Sequence, residues 1–595
     1  MQIFKPKRVF LVLFLSLIAA WSLKEAGTAF FLGGKTFSGR SFLGQVGILG
    51  VIFILVFGLF LLASNLWELF LVEYGDWLNR NLKLIGRQLF NQTQIYGWSF
   101  PVILGIVLLL VQVRIITFPY QLEYREGAIV LTTQALLRGI NPYIVENNPL
   151  YINVYGLGLH LVAWPLAALL GNSLALHRTI SAMFTFFQLI LVMSVLRHEK
   201  TGWLFILLAS GFIWIGQLDS TSPLARPDTM GEYLFLCSLF IPYLSCFRSS
   251  SIILGVALGI FGFYTKPYFI LGVPILLTYL FLFVSKKKAV IAGVGAFAGL
   301  LISALMVNYL FEAYFFNTIF SHVADAIDSY PHLLEQIITF AQDYWSIFAV
   351  GLVAGGVFFQ KANFQTTFSG LHLELRTFSG PLLPLQFNFF CYCLLIPTGL
   401  IYFSMGRHTG ATQIYFYQLL TPFVVIIFFR WVETLDWQKG WIVLLVMINL
   451  FTHTIQNLKV DLNFTVSPGW AQLNQALSGR SNILNSPVSV SMLVANNQTI
   501  VDSGQTWYFW PMPASASLFY PDLGRLKQVE NDFLNGIQAD IAHQHYDLIM
   551  FDRRNQREIS PELVQKYYKL ERVIDLYLPH TSQTWKIELW IPQSP

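Results

Sequence analysis

The stretch SKKKAVIAGVGAFAGLLISALMVNYLF, from Ser285 to Phe311, decides the kind of fold. Three consecutive lysines open it, and no charged residue follows until Glu312. About 20 apolar residues in helical form cross the roughly 30 Å of hydrocarbon in a bilayer, so the run predicts a spanning helix over 288–309. Lys286 to Lys288 then belong on the cytoplasmic side, where lysine and arginine gather beside spans. Gly293, Gly295 and Gly299 read as positions of close helix packing.

Working outward, similar runs recur from Val9 to His453. They predict spans near 9–23, 45–72, 98–117, 177–196, 201–217, 229–246, 251–265, 267–284, 288–309, 343–359, 384–404, 413–430 and 440–454, about thirteen transmembrane helices. The composition agrees: 55% of the 595 residues are hydrophobic and 12% are charged, about half the charged share of a soluble domain. Alternating strands of the barrel type are absent, so the predicted fold is an all-α polytopic membrane bundle. The run Phe10 to Trp21 lies behind Lys5, Lys7 and Arg8 with no small-residue cleavage site after it, and reads as a retained helix. Cys237, Cys246, Cys391 and Cys393 all lie in apolar runs and offer neither a disulfide framework nor zinc spacing. The net charge of +5 is spread over loops, which excludes a nucleic-acid patch.

With the N-terminus cytoplasmic, the loops carrying Arg80, Lys83 and Arg87, then Arg197 and Lys200, Arg248, the lysine triplet, Lys361 and Arg376, and Lys439 all fall inside. Lys24, Lys35 and Arg40 are left outside. The apolar stretch from Tyr151 to Leu170 must then lie on the outer face, because counting it as a crossing would invert the loops that follow. After about Thr454 the character changes. Polar turns separate strand-like runs at Val488–Val494, Asp547–Phe551, Val573–Leu578 and Trp585–Ile591, with a helical pattern over Leu526–His543. This predicts a small C-terminal α/β extracytoplasmic domain. The expected division is 1–93 for two additional N-terminal helices, 94–454 for a membrane module with outer loops, and 455–595 for the outer domain. Asn463 and Asn497 open Asn-x-Thr sequences on that side, and Trp507–Trp510 reads as core before it reads as a sugar-stacking surface.

The outer loops hold the residues with chemical promise. Glu123 and Glu126, three apart, can face one way on a helical turn and serve as general base or ligand, although an isolated loop pair of this kind is usually solvated. Gly139-Ile-Asn141-Pro142-Tyr143 and Pro149-Leu150-Tyr151 follow. Arg226 in Ala225-Arg226-Pro227-Asp228 can grip a phosphate bidentately, while Asp228 reads equally as a third carboxylate or as a helix cap. Lys266 interrupts a long apolar run at Tyr264-Thr265-Lys266-Pro267, where it either snorkels or meets an anion. Arg407 and His408 form a flexible cationic turn between Gly406 and Gly410. His322, Asp325 and Asp328 make a weak metal-like set, read as none. No phosphate-cradling or dinucleotide glycine motif and no nucleophile elbow is present.

In this order, acidic loop, Gly-x-Asn-Pro-Tyr, Pro-Leu-Tyr, Arg-Pro-Asp, Lys-Pro and Gly-Arg-x-x-Gly, the chain resembles the GT-C superfamily of integral membrane glycosyltransferases. Protein mannosyltransferases and aminoarabinose transferases that modify lipid A belong to it. The resemblance covers roughly Gln94 to Trp431. It implies inverting transfer of a sugar, on the extracytoplasmic face, from a polyprenyl-phosphate-linked donor to a glycan, lipid or protein acceptor. It places the base at Glu123 or Glu126; many relatives carry Asp where Glu123 stands, so both stay open. It further implies that Arg226, Lys266 and Arg407 bind the donor phosphate, that Asp228, Tyr143 and His408 support substrate or metal, and that a divalent metal ion is optional. Two other classes compete: a transporter or flippase, which requires charges near mid-membrane, and a scaffold displaying the C-terminal domain, which has no use for the acidic loop.

Overall fold

The structure, a computed structural model, describes residues 97–220, 222–320, 413–433, 438–462, 467–501, 523–552, 559–578 and 583–593, with short pieces of 80–92 and isolated residues beyond. The chain forms two compact units, Met1–Phe90 and Asn91–Pro595, and the second carries the elements that follow. The spans expected near 9–23, 45–72, 343–359 and 384–404 lie outside the described residues, as do Arg407, His408, the set at His322, Asp325 and Asp328, and Trp507–Trp510.

The membrane module contains α1 (Ser99–Thr117), α2 (Arg125–Leu137), α3 (Gly158–Leu170), α4 (Leu174–His198), α5 (Trp203–Ser220), α6 (Asp228–Leu244), α7 (Ser249–Phe263), α8 (Gly272–Tyr279), α9 (Lys286–Leu310), α10 (Gln413–Val432) and α11 (Gln438–Leu462). Among the described residues four helices are long and apolar enough to cross a bilayer: α1, α4, α9 and the continuous run Pro267–Val284 that includes α8. The chain is an integral membrane protein. Helices form here because, away from water, every backbone N–H and C=O must be paired inside its own segment. Ser173 caps α4 by accepting from the Leu176 amide, and Ser285 caps α9 by accepting from Lys288, so these two of the four spans start at a hydroxyl. Ile103, Leu110, Ile302 and Leu305 stand exposed on α1 and α9, the sides that meet lipid, while α6 packs into the middle against α4 and α7.

The C-terminal domain is built on a four-stranded sheet in the order β1-β2-β4-β3: β1 (Ile483–Leu484) runs parallel to β2 (Leu548–Phe551), and β4 (Gln583–Pro592) is antiparallel to both β2 and β3 (Tyr568–Leu578). Helices α12 (Pro468–Leu477), α13 (Val490–Ala495), α14 (Leu523–Ala542) and α15 (Pro561–Tyr567) accompany it. The strand expected at Val488–Val494 is instead a 3-10 turn, Pro487–Ser489, running into α13. Met492 and Leu493 enter the core under the sheet, whereas Val490 and Val494 enter a second core against α2. Burial in two directions at helical spacing is beyond a strand, whose side chains point to only two opposed faces. The surface helix expected over Tyr151–Leu170 is also shorter. It begins at Gly158, and Ile152 to Leu157 form an irregular segment before it.

That segment is pressed onto the turn between α7 and Pro267. The Gly156 amide donates to the Thr265 carbonyl at 3.1 Å and Gly158 to Tyr264 at 2.7 Å. A Cβ on Gly156 would stand 2.1 Å from the Tyr264 oxygen, so only glycine permits this approach. Tyr155 is thereby carried to the side chain of Lys266.

Candidate functional site

Four elements deliver the site: the loop before α2, the irregular segment 152–157, the N-terminus of α6 with the residues before it, and the turn at Lys266. Asp228, fully buried at the start of α6, joins them. Its Oδ1 receives the Lys266 ammonium and, at 3.3 Å, the Tyr268 hydroxyl. Its Oδ2 lies 3.0 Å from Arg226 Nε. Arg226 also faces Glu123, Nη1 to Oε2 at 3.8 Å, and Arg125 approaches the other Glu123 oxygen at 3.4 Å. The Tyr155 ring lies under both inner cations, 4.7 Å from Lys266 Nζ and 5.8 Å from the Arg226 guanidinium carbon, where its π face offsets part of their lost hydration. Three cations and two carboxylates thus share one patch that keeps a positive excess, buried except for the half-buried Arg125.

Burial pushes the Lys266 ammonium down to about 8; Asp228 opposes that fall, and Arg226 adds to it. For Arg226, burial works against the charge, but Asp228, Tyr155 and Glu123 more than restore it, so the guanidinium stays charged.

The geometry separates the two glutamates. Glu126 accepts four hydrogen bonds: from Arg178 Nε (2.9 Å) and Nη2 (2.7 Å), and from the amides of Leu122 (2.7 Å) and Ala225 (2.8 Å). Burial acts to raise its pKa, but Arg178 and the two amides outweigh it and hold the carboxyl below its usual range. With its lone pairs occupied, this carboxylate fastens α2 to α4 and to the Arg226 loop. Glu123 is also buried, yet its Oε2 receives no hydrogen bond. That oxygen can still accept a proton.

Tyr143 is fully buried and donates to the Tyr155 carbonyl at 3.0 Å, supporting the segment that carries Tyr155. Sequence reasoning left out Arg125, Tyr155, Tyr268 and Arg178. Arg178 had a visible signal, an arginine one residue inside a predicted span, where an unpaired charge is too costly to stand. The donor set does not suit a divalent metal ion, because each carboxylate of the patch already faces cations. Among the described residues no three His, Cys, Asp or Glu side chains are grouped to hold one.

The fold is GT-C-like, as the order of motifs led one to expect. The structure is similar to that of ArnT from Cupriavidus metallidurans bound to undecaprenyl phosphate, with a TM-score of 0.52 over 83% of this chain and 98% of that one, at 12% identity. The apo state of the same protein aligns with a TM-score of 0.51 over 84% and 98%, also at 12% identity. No protein-family model matches the sequence, and no curated protein does.

Proposed function

We propose that this protein is a glycosyltransferase that moves a sugar from a polyprenyl-phosphate carrier to an acceptor hydroxyl on the extracytoplasmic face, with inversion. The observation that carries this reading is one buried carboxylate oxygen, on Glu123, left without a hydrogen-bond donor beside Arg125 and Arg226, with Lys266 joined to Arg226 through Asp228. Undecaprenyl phosphate bound to ArnT supports a carrier of that class. Glu123 removes the proton of the acceptor hydroxyl. The acceptor oxygen bonds to the anomeric carbon as the bond from that carbon to the phosphate oxygen breaks, and the phosphate departs with the electron pair. Arg226 and Lys266 are placed for the charge that grows on the departing oxygen, where stabilisation lowers the barrier most. Tyr155 and Asp228 hold both cations in advance, so little reorganisation remains during reaction.

The test is transfer of radiolabelled sugar from a panel of polyprenyl-phosphate sugars by purified protein in lipid. Wild-type transfer that is lost in a folded Glu123→Gln variant supports the reading. Absence of transfer from every donor, with solute flux in vesicles that survives Glu123→Gln, replaces it with a transporter.

A further inference from the structure

We propose that the C-terminal domain is the support that positions Glu123, acting through Gln121 and two aromatic stacks; this rests on the sugar-transfer reading. Gln121 is fully buried and both ends of its amide are engaged. Its oxygen accepts from the Ser491 amide at 2.9 Å, at the start of α13. Its nitrogen donates to the carbonyls of Pro487 (3.2 Å) and Tyr124 (3.1 Å) and lies 3.5 Å from that of Glu123. One side chain therefore ties the backbone on both sides of the Glu123–Tyr124 peptide to the outer domain.

Aromatic rings hold the same loop at its two ends. Tyr120 stacks on Trp470, the buried anchor of α12, with centroids 4.7 Å apart and planes 8° from parallel. Tyr124 stacks on Trp585 of β4 at 5.6 Å, and its ring also carries the Arg125 guanidinium at 5.0 Å, the group that meets Glu123. Contact is close enough that a Cβ on Gly127 would come within 2.7 Å of both the Gln121 oxygen and the Val490 side chain. Arg226 and Lys266 have a different foundation, Asp228 and Tyr155 of the membrane module. Base and phosphate-binding cations are thus held by different sets of side chains. Loosening the outer set moves the base and leaves the cations in place, and a displacement of about 1 Å at such a group costs about 100-fold in rate.

The experiment uses the full chain in lipid nanodiscs as wild type, Gln121→Leu, Trp470→Ala and Trp470→Phe. Hydrogen exchange over 118–126 is measured together with kcat and KM for a polyprenyl-phosphate sugar. In Gln121→Leu and Trp470→Ala the loop exchanges faster and kcat falls about 10- to 100-fold, while the donor KM and the protection of α4 and α6 stay at wild-type values. Trp470→Phe, which keeps a ring against Tyr120, behaves like wild type. Unchanged exchange in Gln121→Leu overturns the proposal even where transfer is intact. So does a rise in donor KM that matches the fall in kcat. If the wild type transfers no sugar from any donor, the enzymatic reading is what fails, and the exchange data still decide whether the outer domain holds the loop.

Discussion

Arg178 and Glu126 meet side by side, Nε to Oε1 at 2.9 Å and Nη2 to Oε2 at 2.7 Å, with neither side chain exposed. Removing one partner of a buried pair strands the other charge, at a cost of about 3–5 kcal/mol. Glu126→Gln and Arg178→Met each lower the thermal midpoint and the yield of monodisperse protein. The double variant Glu126→Gln/Arg178→Met recovers part of the loss. Activity per folded molecule in Glu126→Gln stays well above that of Glu123→Gln. Fluorescence-detected thermal unfolding beside a transfer assay measures both quantities.

Glu123→Gln keeps the volume of the side chain and abolishes its capacity to take a proton. General bases contribute between about 100- and 10,000-fold, so kcat falls within that range in a protein that still purifies folded and monodisperse. A Glu123→Gln protein with wild-type turnover sinks the assignment of the base.

Lys266 serves the phosphate only when protonated. Its free group titrates near 8, so the ammonium is present below that pH and is lost as pH rises through it. For the donor, kcat/KM is level to about pH 8 and then falls about tenfold per unit. Lys266→Arg, whose charge survives any accessible pH, moves the alkaline fall beyond the measured range, even if its plateau is lower. An unchanged alkaline limb in that variant assigns the titration to another group.

Glu530, on α14, is buried with no hydrogen bond to either carboxylate oxygen. Burial pushes it up to about 8, against the pull of Lys527. Because the folded value lies above the unfolded one, the folded state loses stability relative to acid conditions as pH rises from about 4.5 through about 8. Glu530→Gln therefore stabilises the C-terminal domain at pH 8, by about 1–3 kcal/mol, and changes little at pH 5. Thermal unfolding at both pH values checks this.

Much of the fold was legible because lipid writes it in apolar runs: the predicted spans at 98–117, 267–284 and 288–309 coincide closely with helices. The patch was legible in part. Glu123, Arg226, Asp228 and Lys266 converge, and each stood out as a charge at the mouth of a span. Tyr155 did not, since a tyrosine in an apolar stretch has no sign of its own and acquires its role from the Gly156 contact with a turn more than a hundred residues on. The choice between Glu123 and Glu126 was hidden for the same reason: what occupies Glu126 is Arg178, and pairing at that separation leaves no mark in local spacing. At Val488–Val494 the apolar and β-branched content suggested a strand, but burial between two cores made a helix the better solution.

The positive excess of the patch has a kinetic side. A sugar-loaded carrier is a phosphodiester with a single negative charge, whereas the spent carrier is a monoester that takes a second one near neutrality. Cations arranged for the first bind the second more tightly, so on the proposed reaction the empty carrier lingers. It then competes with loaded carrier for the same patch, and on that reaction whatever process clears spent carrier from the leaflet sets the strength of this product inhibition.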